Sequence, residues 1–264
     1  GDIIKKRIES LKNIIYLNDE NEFSVKGGFQ PAIEETPKFT ITSSQYSKLT
    51  KKEQEYVFPV VFHAREIKPY VLSQSELKYW IVCNEIDSEQ ELQTDFPNLF
   101  KILINTGSQD SQKWWDFPNI RNFKLIKESK KKLIAPRTAE HNSFALDESK
   151  SVFKGTNTMI VSKNIPTLYL LGILNSKLSN YWYSNYGISY HGAYMKFEPS
   201  LVKNHSLPIL FVKEKESDII NLVKKIISCK KESKPHEDYI EQLDTLIFEM
   251  YGLTSEEVKI IKNA

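Results

Sequence analysis

The sequence predicts an α+β fold, a mixed and largely antiparallel sheet domain with packed helices and a helical segment at its C-terminus. Three observations lead to this prediction. Short runs with strand-like alternation follow one another between residues 23 and 161. Apolar residues recur at helical spacing from residue 168, and helical patterns dominate beyond Pro208. A chain of 264 residues is also long enough to bury a substantial core.

The chain begins with a predicted helix and continues into extended structure. Apolar residues recur at helical spacing between residues 4 and 15. Phe23 and Val25 then alternate as in a strand. The pair Gly27-Gly28 indicates a turn or a close approach of two backbone segments, because glycine has no Cβ. Extended structure is expected to resume at residues 39–41.

The middle of the chain contains most of the predicted sheet. Thr50-x-x-Glu53 has the spacing of a capping box and predicts a short helix there. A second helix is expected around residues 92–104, after an acidic stretch. The predicted strands are 58–62, 78–82, 123–126, 132–135, 143–146 and 158–161. The last four follow one another closely, as in an antiparallel meander.

A long apolar helix is predicted between Pro166 and Gly187, and it carries Asn175-Ser176-Lys177. A polar, aromatic loop follows it at residues 188–196. Three further helices are expected around 216–230, around 237–251 and from Thr254, whose spacing to Glu257 is that of another capping box. We therefore divide the chain into a mixed domain, 1–212, and a helical segment, 213–264.

Charge is unevenly distributed, although the formal net charge is only +2. Residues 85–110 contain six acidic residues and one lysine, whereas residues 121–137 contain seven basic residues and one glutamate. Clustered positive charge is typical of a surface that binds phosphate groups. Lysines that protect an exposed edge strand would give the same pattern, and both interpretations stay open.

Cysteine usage and hydropathy predict a cytoplasmic protein without a membrane partner. Cys83 and Cys229 are far apart, which argues against a disulfide framework or a zinc site. No apolar run approaches the roughly 20 residues that cross a bilayer, and the charged N-terminus is unlike a signal peptide. The chain begins with Gly1 rather than Met, as we expect of a segment of a longer protein.

The lack of familiar catalytic motifs in the sequence favours recognition over catalysis. The nine glycines form neither GxGxxG nor a phosphate loop, the five histidines lack HExxH spacing, and no GxSxG is present. One nuclease-like pattern remains, because Asp116 and Glu128, with Lys130 nearby, have the spacing of an acidic pair in two-metal cleavage. Such a pattern also arises easily in a chain with 27% charged residues. A metal-dependent nuclease therefore stays as an alternative.

Several basic and aromatic residues combine the donors and stacking faces that nucleic-acid recognition requires. Lys113 could bind a nucleic-acid partner and Trp114 could stack on it. Alternatively, the tryptophan pair anchors its loop in the core. The loop with Tyr190, His191 and Lys196 could likewise be either a reading surface or an ordinary hydrogen-bonded turn.

The same segments, taken in order, resemble one protein family. GGFQPAIEETPKFTIT and VFHAREIKPY with LKYWIVC resemble segments of target recognition domains in type IIG restriction–modification enzymes and related adenine methyltransferases. QKWWDF, KKLIAPRTAEHNSFALDES and LYLLGILNSKLSNYWY with GAYMKFEPSLVKNHSLPI resemble the TaqI-like C-terminal specificity domain. DYIEQLDTLIFEMYGLTSEEVKII resembles the ending of such enzymes. The helix and Pro-Ile segment are also similar to specificity subunits of type I systems.

The chain departs from the family pattern at three places. Pro31-Ala32 stands where Thr-Gly is usual, and His63-Ala64 replaces the usual Gly before Arg65. The Asn-Pro-Pro-Tyr motif of the family's methyltransferase domain is absent from this sequence. The resemblance therefore implies a recognition module whose catalytic domains precede it in the parent polypeptide.

The resemblance implies that 1–212 is a DNA target recognition domain that binds duplex DNA, without catalysis or a cofactor of its own. It implies a parent enzyme that methylates adenine N6 with S-adenosylmethionine and can also cleave with Mg²⁺. The candidate DNA contacts are Lys26, Gln30, Arg65, Lys68, Lys113, Trp114, Arg121, Lys132, Arg137, His141, Asn142, Tyr190, His191 and Lys196. Arg65 and Lys68 are the expected phosphate contacts, and Arg137, His141 and Asn142 the expected base contacts. A fragment of a type I specificity subunit and a protein-interaction scaffold also stay open as functions of the chain.

Overall fold

The computed structural model describes residues 2–105, 113–190 and 192–264. The first half contains helices α1 (Asp2–Glu9), α2 (Thr36–Phe39), α3 (Ser43–Tyr46), α4 (Lys51–Gln54), α5 (Glu89–Asp95) and α6 (Pro97–Ile104). Its strands are β1 (Ile14–Ile15), β2 (Phe23–Gly27), β3 (Thr40–Thr42), β4 (Val57–Val61), β5 (Ile67–Lys68), β6 (Tyr70–Leu72) and β7 (Lys78–Ile81). Short 3-10 turns occupy Ile33–Glu35 and Ala64–Glu66.

The second half adds further strands and most of the longer helices. Its strands are β8 (Lys132–Ala135), β9 (Thr138–Ala139), β10 (Ala145–Asp147), β11 (Val152–Phe153), β12 (Thr158–Ser162), β13 (Met195–Lys196) and β14 (Ile209–Leu210). Its helices are α7 (Phe123–Glu128), α8 (Thr167–Leu174), α9 (Lys177–Tyr186), α10 (Pro199–His205), α11 (Glu216–Lys231), α12 (Glu237–Met250) and α13 (Ser255–Lys262), with a 3-10 turn at Lys213–Lys215. The predicted α+β class is confirmed.

Two larger sheets organise the fold. A six-stranded sheet has the order β2-β12-β8-β10-β6-β5, and a four-stranded sheet has the order β11-β4-β7-β3. Only the pairs β10–β6 and β11–β4 are parallel within them. The short pairs β1–β14 and β9–β13 are antiparallel. The predicted antiparallel character is therefore confirmed.

The six-stranded sheet separates two hydrophobic cores. Val25, Leu133 and Ile160 contribute to one core, together with apolar residues of α8, α9, α11 and α12. Ile134 and Met159 contribute to the other, with the four-stranded sheet, α5 and α6. Neighbouring residues of a strand reach opposite cores because strand side chains alternate between faces. Since both faces are covered, the strand ends and edges are the parts of this sheet available to a partner.

The C-terminal helices pack on the first of these cores. Ile219, Val223 and Ile226 of α11 and Leu243 and Ile247 of α12 are fully buried there. The helical pattern predicted for this segment is confirmed, including the capping box at the start of α13. The division of the chain at residue 212 stays a prediction.

Three local predictions were wrong for identifiable reasons. The first helix ends at Glu9 rather than near residue 15, because Asn13 has a φ of 63° and the following residues form β1. The segment predicted as strand 123–126 is helix α7, in which Phe123 and Ile126 are buried at a helical spacing of three. The helix predicted over 92–104 is divided before Pro97, which has no amide hydrogen and starts α6.

The long helix predicted before Gly187 is two helices, and Asn175 and Ser176 divide it. Ser176 caps α9 by accepting a hydrogen bond from the Ser179 amide at 3.1 Å. The Asn175 side chain accepts from the Phe144 amide at 3.0 Å and donates to its carbonyl at 2.8 Å. This break therefore fixes α8 and α9 to the segment that leads into β10.

One buried carboxyl group lies where α12 meets α9. Asp244 is 1% exposed, and its Oδ1 accepts a hydrogen bond from the Lys177 amide at 2.8 Å. Its Oδ2 has no hydrogen-bond partner in the described part of the chain. Burial raises the pKa of Asp244 to about 6, against the lowering effect of the Lys177 amide. A charged carboxylate at this position therefore destabilises the fold.

Asp244→Asn is expected to raise the free energy of unfolding by about 2 kcal/mol above pH 6. The folded carboxyl retains its proton at pH values where the unfolded one has lost it. Stability of the parent chain should therefore fall as pH rises from 3.8 towards about 6, then level off. Urea unfolding at pH 4.5 and 7.5 measures this difference. Asp238→Asn, at an exposed position of the same helix, is the control, and equal pH dependence in all three proteins would contradict the prediction.

Candidate nucleic-acid interface

One end of the six-stranded sheet brings together segments that are distant in sequence. Thr158, at the start of β12, lies opposite Gly27 of β2 and Ala135 of β8. The start of β10 pairs with the end of β8, and Ala145 lies beside Tyr70 of β6. Residues 26–30, 68–70, 136–142 and 154–157 therefore emerge together, and we call this surface the sheet end. Five strand spacings make it about 24 Å wide.

Close backbone packing holds the β2 side of the sheet end. The Phe29 amide donates to the Phe153 carbonyl at 2.9 Å. A Cβ on Gly28 would lie 2.1 Å from that same oxygen, so this position requires glycine. The Asn122 side chain donates to the Gly27 carbonyl at 2.8 Å, which brings exposed Arg121 towards exposed Lys26 and Gln30.

A two-stranded ribbon extends from the centre of the sheet end. β9 and β13 pair with Lys196 opposite Thr138, and the Phe197 amide donates to the Arg137 carbonyl at 2.7 Å. The Tyr190 amide donates to the Tyr194 carbonyl at 2.7 Å, so the loop before β13 folds back on it.

The ribbon presents aromatic and basic groups to solvent. Tyr190 is 46% and Tyr194 44% exposed, and the Lys196 ammonium lies 5.2 Å from the centroid of the Tyr190 ring. Arg137 is exposed, and its Nε donates to Glu198 Oε1 at 2.9 Å. His141 is exposed beside the same ribbon. The structure thus brings Arg137, His141, Tyr190 and Lys196 together, and His191 lies outside the described residues.

Arg65 and Lys68 face a cleft of about 810 Å³ at the other edge of the sheet. Both side chains are exposed, and neither has an ion-pair partner among the described residues. Glu66, in the same cleft, accepts hydrogen bonds from the Phe62 amide at 3.1 Å and from Gln74 at 3.2 Å. The cleft therefore presents the cations of Arg65 and Lys68, unpaired within the described part of the chain, beside two carboxylates that are already engaged, Glu66 and the Lys78-paired Glu76.

The structure corrects three of the predicted contacts, beginning with Lys132. Its side chain is fully buried and forms an ion pair with Asp147, directly opposite on β10. Asp147 also accepts hydrogen bonds from the amides of Ser149 and Ser151, each at 2.9 Å. Lys132 therefore stabilises a turn inside the protein and has no exposed atom with which to contact DNA.

The tryptophan loop is a core anchor, the second of the two interpretations that the sequence allowed. Trp114 is 5% exposed, and its ring packs edge to face against Phe100 at 6.0 Å. Trp115 is 2% exposed and donates to the Ile86 carbonyl at 3.2 Å. Lys113 donates to that carbonyl at 3.4 Å, so this residue is engaged within the protein. Stacking of DNA on Trp114 is therefore ruled out in this conformation by burial.

Asn142 is the third correction, because it is 6% exposed and bonded to the helices beneath it. Its Nδ2 donates to the carbonyls of Leu174 at 2.5 Å and Ser176 at 3.1 Å, and its amide donates to Asn180 at 3.1 Å. Asn142 therefore anchors its segment to α8 and α9 rather than contacting a base.

Asn142→Ala is expected to lower the free energy of unfolding by about 2 kcal/mol, because two buried carbonyls lose their donor. Chemical denaturation measures the loss, with Ser143→Ala as the neighbouring control. Duplex affinity of the folded variant should stay within about threefold of the parent chain. A large loss of affinity at unchanged stability would instead restore the predicted base contact.

The basic run at residues 121–137 does not form one continuous positive surface. Five of its seven cations have acidic partners: Lys124–Glu128, Lys127–Glu85, Lys131–Glu148, Lys132–Asp147 and Arg137–Glu198. The Lys127–Glu85 pair joins the basic run to the acidic one. These residues are neighbours in sequence, but strand and helix geometry separates them in space. A count of charges along the sequence could not show this.

The two acidic residues of the nuclease hypothesis do not form a metal site. Asp116 is half-buried, and burial raises its pKa against the lowering effect of Lys113. Glu128 is exposed and pairs with Lys124 at 3.9 Å. Within residues 2–105, 113–190 and 192–264, no group of three His, Cys, Asp or Glu side chains could hold a metal ion. In the same ranges, no helix is long and apolar enough to cross a membrane.

A covered sheet that presents basic and aromatic loops at one end defines a specificity module, in which the fold supports and the loops recognise. Residues 61–209, more than half of the chain, match the family model of the TaqI-like C-terminal specificity domain. The chain belongs to this family, and the predicted resemblance is confirmed. No curated protein matches.

Two solved structures share the fold. The type IIL restriction–modification enzyme MmeI, solved in complex with DNA, is 14% identical with a TM-score of 0.60, over 91% of this chain and 36% of that one. The type IIG restriction endonuclease BpuSI is 16% identical with a TM-score of 0.55, over 96% of this chain and 33% of that one. The chain thus spans about a third of the length of both enzymes.

Proposed function

We propose that this chain binds duplex DNA and reads a short sequence, as the target recognition domain of a restriction–modification enzyme. The observation that carries the proposal is the sheet end, where distant segments present exposed cations and tyrosines on a sheet that is otherwise covered. Family membership supports it, since this family is a specificity domain.

The edges of the sheet end and the β9–β13 ribbon that extends from its centre suit different contacts. Lys26, Lys68 and Arg121 lie along the edges, and Arg65 lies in the cleft beside the far ends of β5 and β6; electrostatic contacts of these cations with phosphates would set the register of the protein on the duplex. The β9–β13 ribbon has the form that a major groove about 12 Å wide admits. Its exposed groups, above all Arg137, are the donors that would reach base edges. Gln30, at the β2 edge, is a further exposed donor.

The parent protein is proposed to methylate adenine N6 with S-adenosylmethionine and, if it also cleaves, to use Mg²⁺. No residue of this chain is assigned to either group, because the sequence has no nucleotide-binding glycine motif. The recognition domain would hold the duplex in register while a methyltransferase domain flips the target adenine. Such an enzyme acts on chromosomal DNA, and a cytoplasmic location is proposed with it.

The N-terminal domains of the same polypeptide are proposed to dock on an apolar face formed by α1 and α13. Ile3 is 73% exposed and Ile260 53% exposed, and both line a groove of about 330 Å³ with Tyr181. Exposed apolar side chains grouped in this way are typical of an interaction surface. The solved relatives are about three times as long as this chain, and the proposed N-terminal domains would correspond to part of that additional length.

Fluorescence anisotropy with a labelled duplex of random sequence tests the DNA proposal. We expect binding at 50 mM salt, and the logarithm of the binding constant should fall with the logarithm of the salt concentration with a slope of about −3.6 to −5.4, since four to six phosphate contacts release counterions. Failure to bind the duplex even at low salt would contradict the proposal and favour the protein-interaction scaffold. The upstream parent sequence gives an independent check, because an Asn-Pro-Pro-Tyr motif is expected there.

A further inference from the structure

The turn between α11 and α12 faces the β5–β6 edge of the six-stranded sheet. A cleft of about 510 Å³ separates them, and it is lined by Lys68, Ser73, Lys230, Lys234 and His236, among others. Lys68 and Ser73 also line the larger cleft that contains Arg65. The two clefts therefore form one concave surface that runs from the sheet onto the C-terminal helices.

Three of the cations on this surface lack an ion-pair partner in the described part of the chain, whereas Lys234 pairs with Glu232 at 2.5 Å and Glu237 also lines the smaller cleft. Lys230 is half-buried, and burial lowers its pKa, while Glu237 acts in the opposite direction. Lys230, Lys68 and Arg65 have no ion-pair partner within 4.0 Å among the described residues. An anion bound between Lys68 and Lys230 would be stabilised by two ammonium groups, one of which has already lost much of its water.

Hydrogen bonds fix the backbone of the turn, which sets the positions from which these lysine side chains extend. The Lys234 amide donates to the Cys229 carbonyl at 2.8 Å, and the Ser233 amide donates to the Lys230 carbonyl at 3.3 Å. Ser233 has a φ of 54°, which lets the chain reverse directly after α11. The Glu237 carboxylate accepts from the His236 amide at 2.8 Å, at the start of α12.

The spacing also suits a duplex whose groove contains the ribbon. β8, which continues into the ribbon, lies three strand spacings from β5, about 14 Å. A duplex whose major groove contains the ribbon extends past the groove on both sides, so one of its phosphate backbones can run towards the β5 edge. The α11–α12 turn faces this edge from the helical side of the sheet.

We propose that the α11–α12 turn is a second phosphate-binding site, in which Lys230 and Lys68 hold the backbone of the bound duplex from opposite sides of one cleft. The C-terminal helices would then take part in DNA binding and not only in packing. This inference rests on the proposed function and adds a contact that the sequence did not suggest. Lys230, Lys231 and Lys234 lie at or just after the end of a helix, where lysines are commonly solvated, so the sequence alone did not indicate a binding site there.

The test measures affinity and salt dependence of the full chain for a random-sequence duplex. Lys230→Gln is expected to weaken binding about fivefold at 100 mM salt and to reduce the log–log slope by about 0.9. Lys68→Gln with Lys230→Gln should reduce the slope by about 1.8, whereas Lys230→Arg should retain it. Lys224→Gln, at an exposed position of the same helix, is the matched control.

Two outcomes keep this proposal separate from the function it rests on. If binding of the parent chain weakens steeply with salt and Lys230→Gln has the same affinity and salt dependence, the proposal of a second phosphate-binding site is wrong and the DNA-binding function stands. If the parent chain does not bind the duplex, both proposals are wrong. Thermal unfolding of each variant at an unchanged midpoint shows that the fold is retained, and Lys230→Arg separates loss of charge from loss of packing.

Discussion

Asp147→Ala is expected to lower the free energy of unfolding by about 3–5 kcal/mol, because it leaves the Lys132 ammonium buried without its partner. Both side chains are fully buried in the six-stranded sheet. Burial lowers the pKa of Lys132, and the neighbouring Asp147 raises it. The variant also removes the acceptor for the Ser149 and Ser151 amides. Urea denaturation at pH 7 measures the loss.

A double variant distinguishes an unpaired charge from a simple cavity. Lys132→Met with Asp147→Asn removes both charges and retains an amide oxygen for the turn. We expect it to be more stable than Asp147→Ala, because the burial of an uncharged pair costs less than the burial of one unpaired charge. Glu148→Ala, which breaks the exposed Lys131–Glu148 pair, is the control and should cost under about 1 kcal/mol. If the losses of stability caused by Lys132→Met alone and by Asp147→Asn alone add up to the loss in the double variant, this explanation is contradicted.

Removal of four cations from the sheet end is expected to weaken duplex binding by about three orders of magnitude at 100 mM salt. The variant replaces Lys26, Lys68, Arg137 and Lys196 with glutamine. Three of these side chains are exposed and Lys196 is half-buried, so the fold should be retained. Anisotropy titrations against one random-sequence duplex measure the affinity.

A second quadruple variant controls for net charge. Lys48, Lys51, Lys224 and Lys259 are exposed and lie outside the sheet end, and their replacement by glutamine gives the same change in charge. We expect this variant to retain affinity within about tenfold, since distant charges act only through the screened field. Equal losses in the two variants would show that net charge, rather than the sheet end, determines binding.

The spacing of apolar residues was sufficient to predict those helices and strands whose buried side follows from the local sequence. The C-terminal helices were predicted within one residue of their bounds, and Ile219, Val223 and Ile226 of α11 recur at helical spacing and are all buried. Strands 58–62 and 78–82 were predicted within one or two residues, as β4 and β7. Residues 123–126 failed because a four-residue apolar run fits either period, and only the contacts with the second core decide between them.

The candidate site was harder to predict because partners distant in sequence determine which of its charged side chains are buried and paired and which are exposed. Lys132 and Lys131 are adjacent in sequence, yet one is buried against Asp147 and the other is exposed beside Glu148. Which side of a strand faces a core depends on the whole sheet. Lys230 was missed for the same reason, since only the packing of α11 on β6 brings it towards Lys68.

Selection from a random duplex pool tests sequence-specific recognition, the central claim, most directly. The full chain is incubated with the pool, bound duplexes are amplified over several rounds, and the enriched sequences are determined. We predict one short enriched sequence, and we predict that Arg137→Ala loses the preference at one position of it while phosphate contacts are retained. A chain that binds the pool tightly but enriches no sequence would contradict the claim that the sheet end reads DNA.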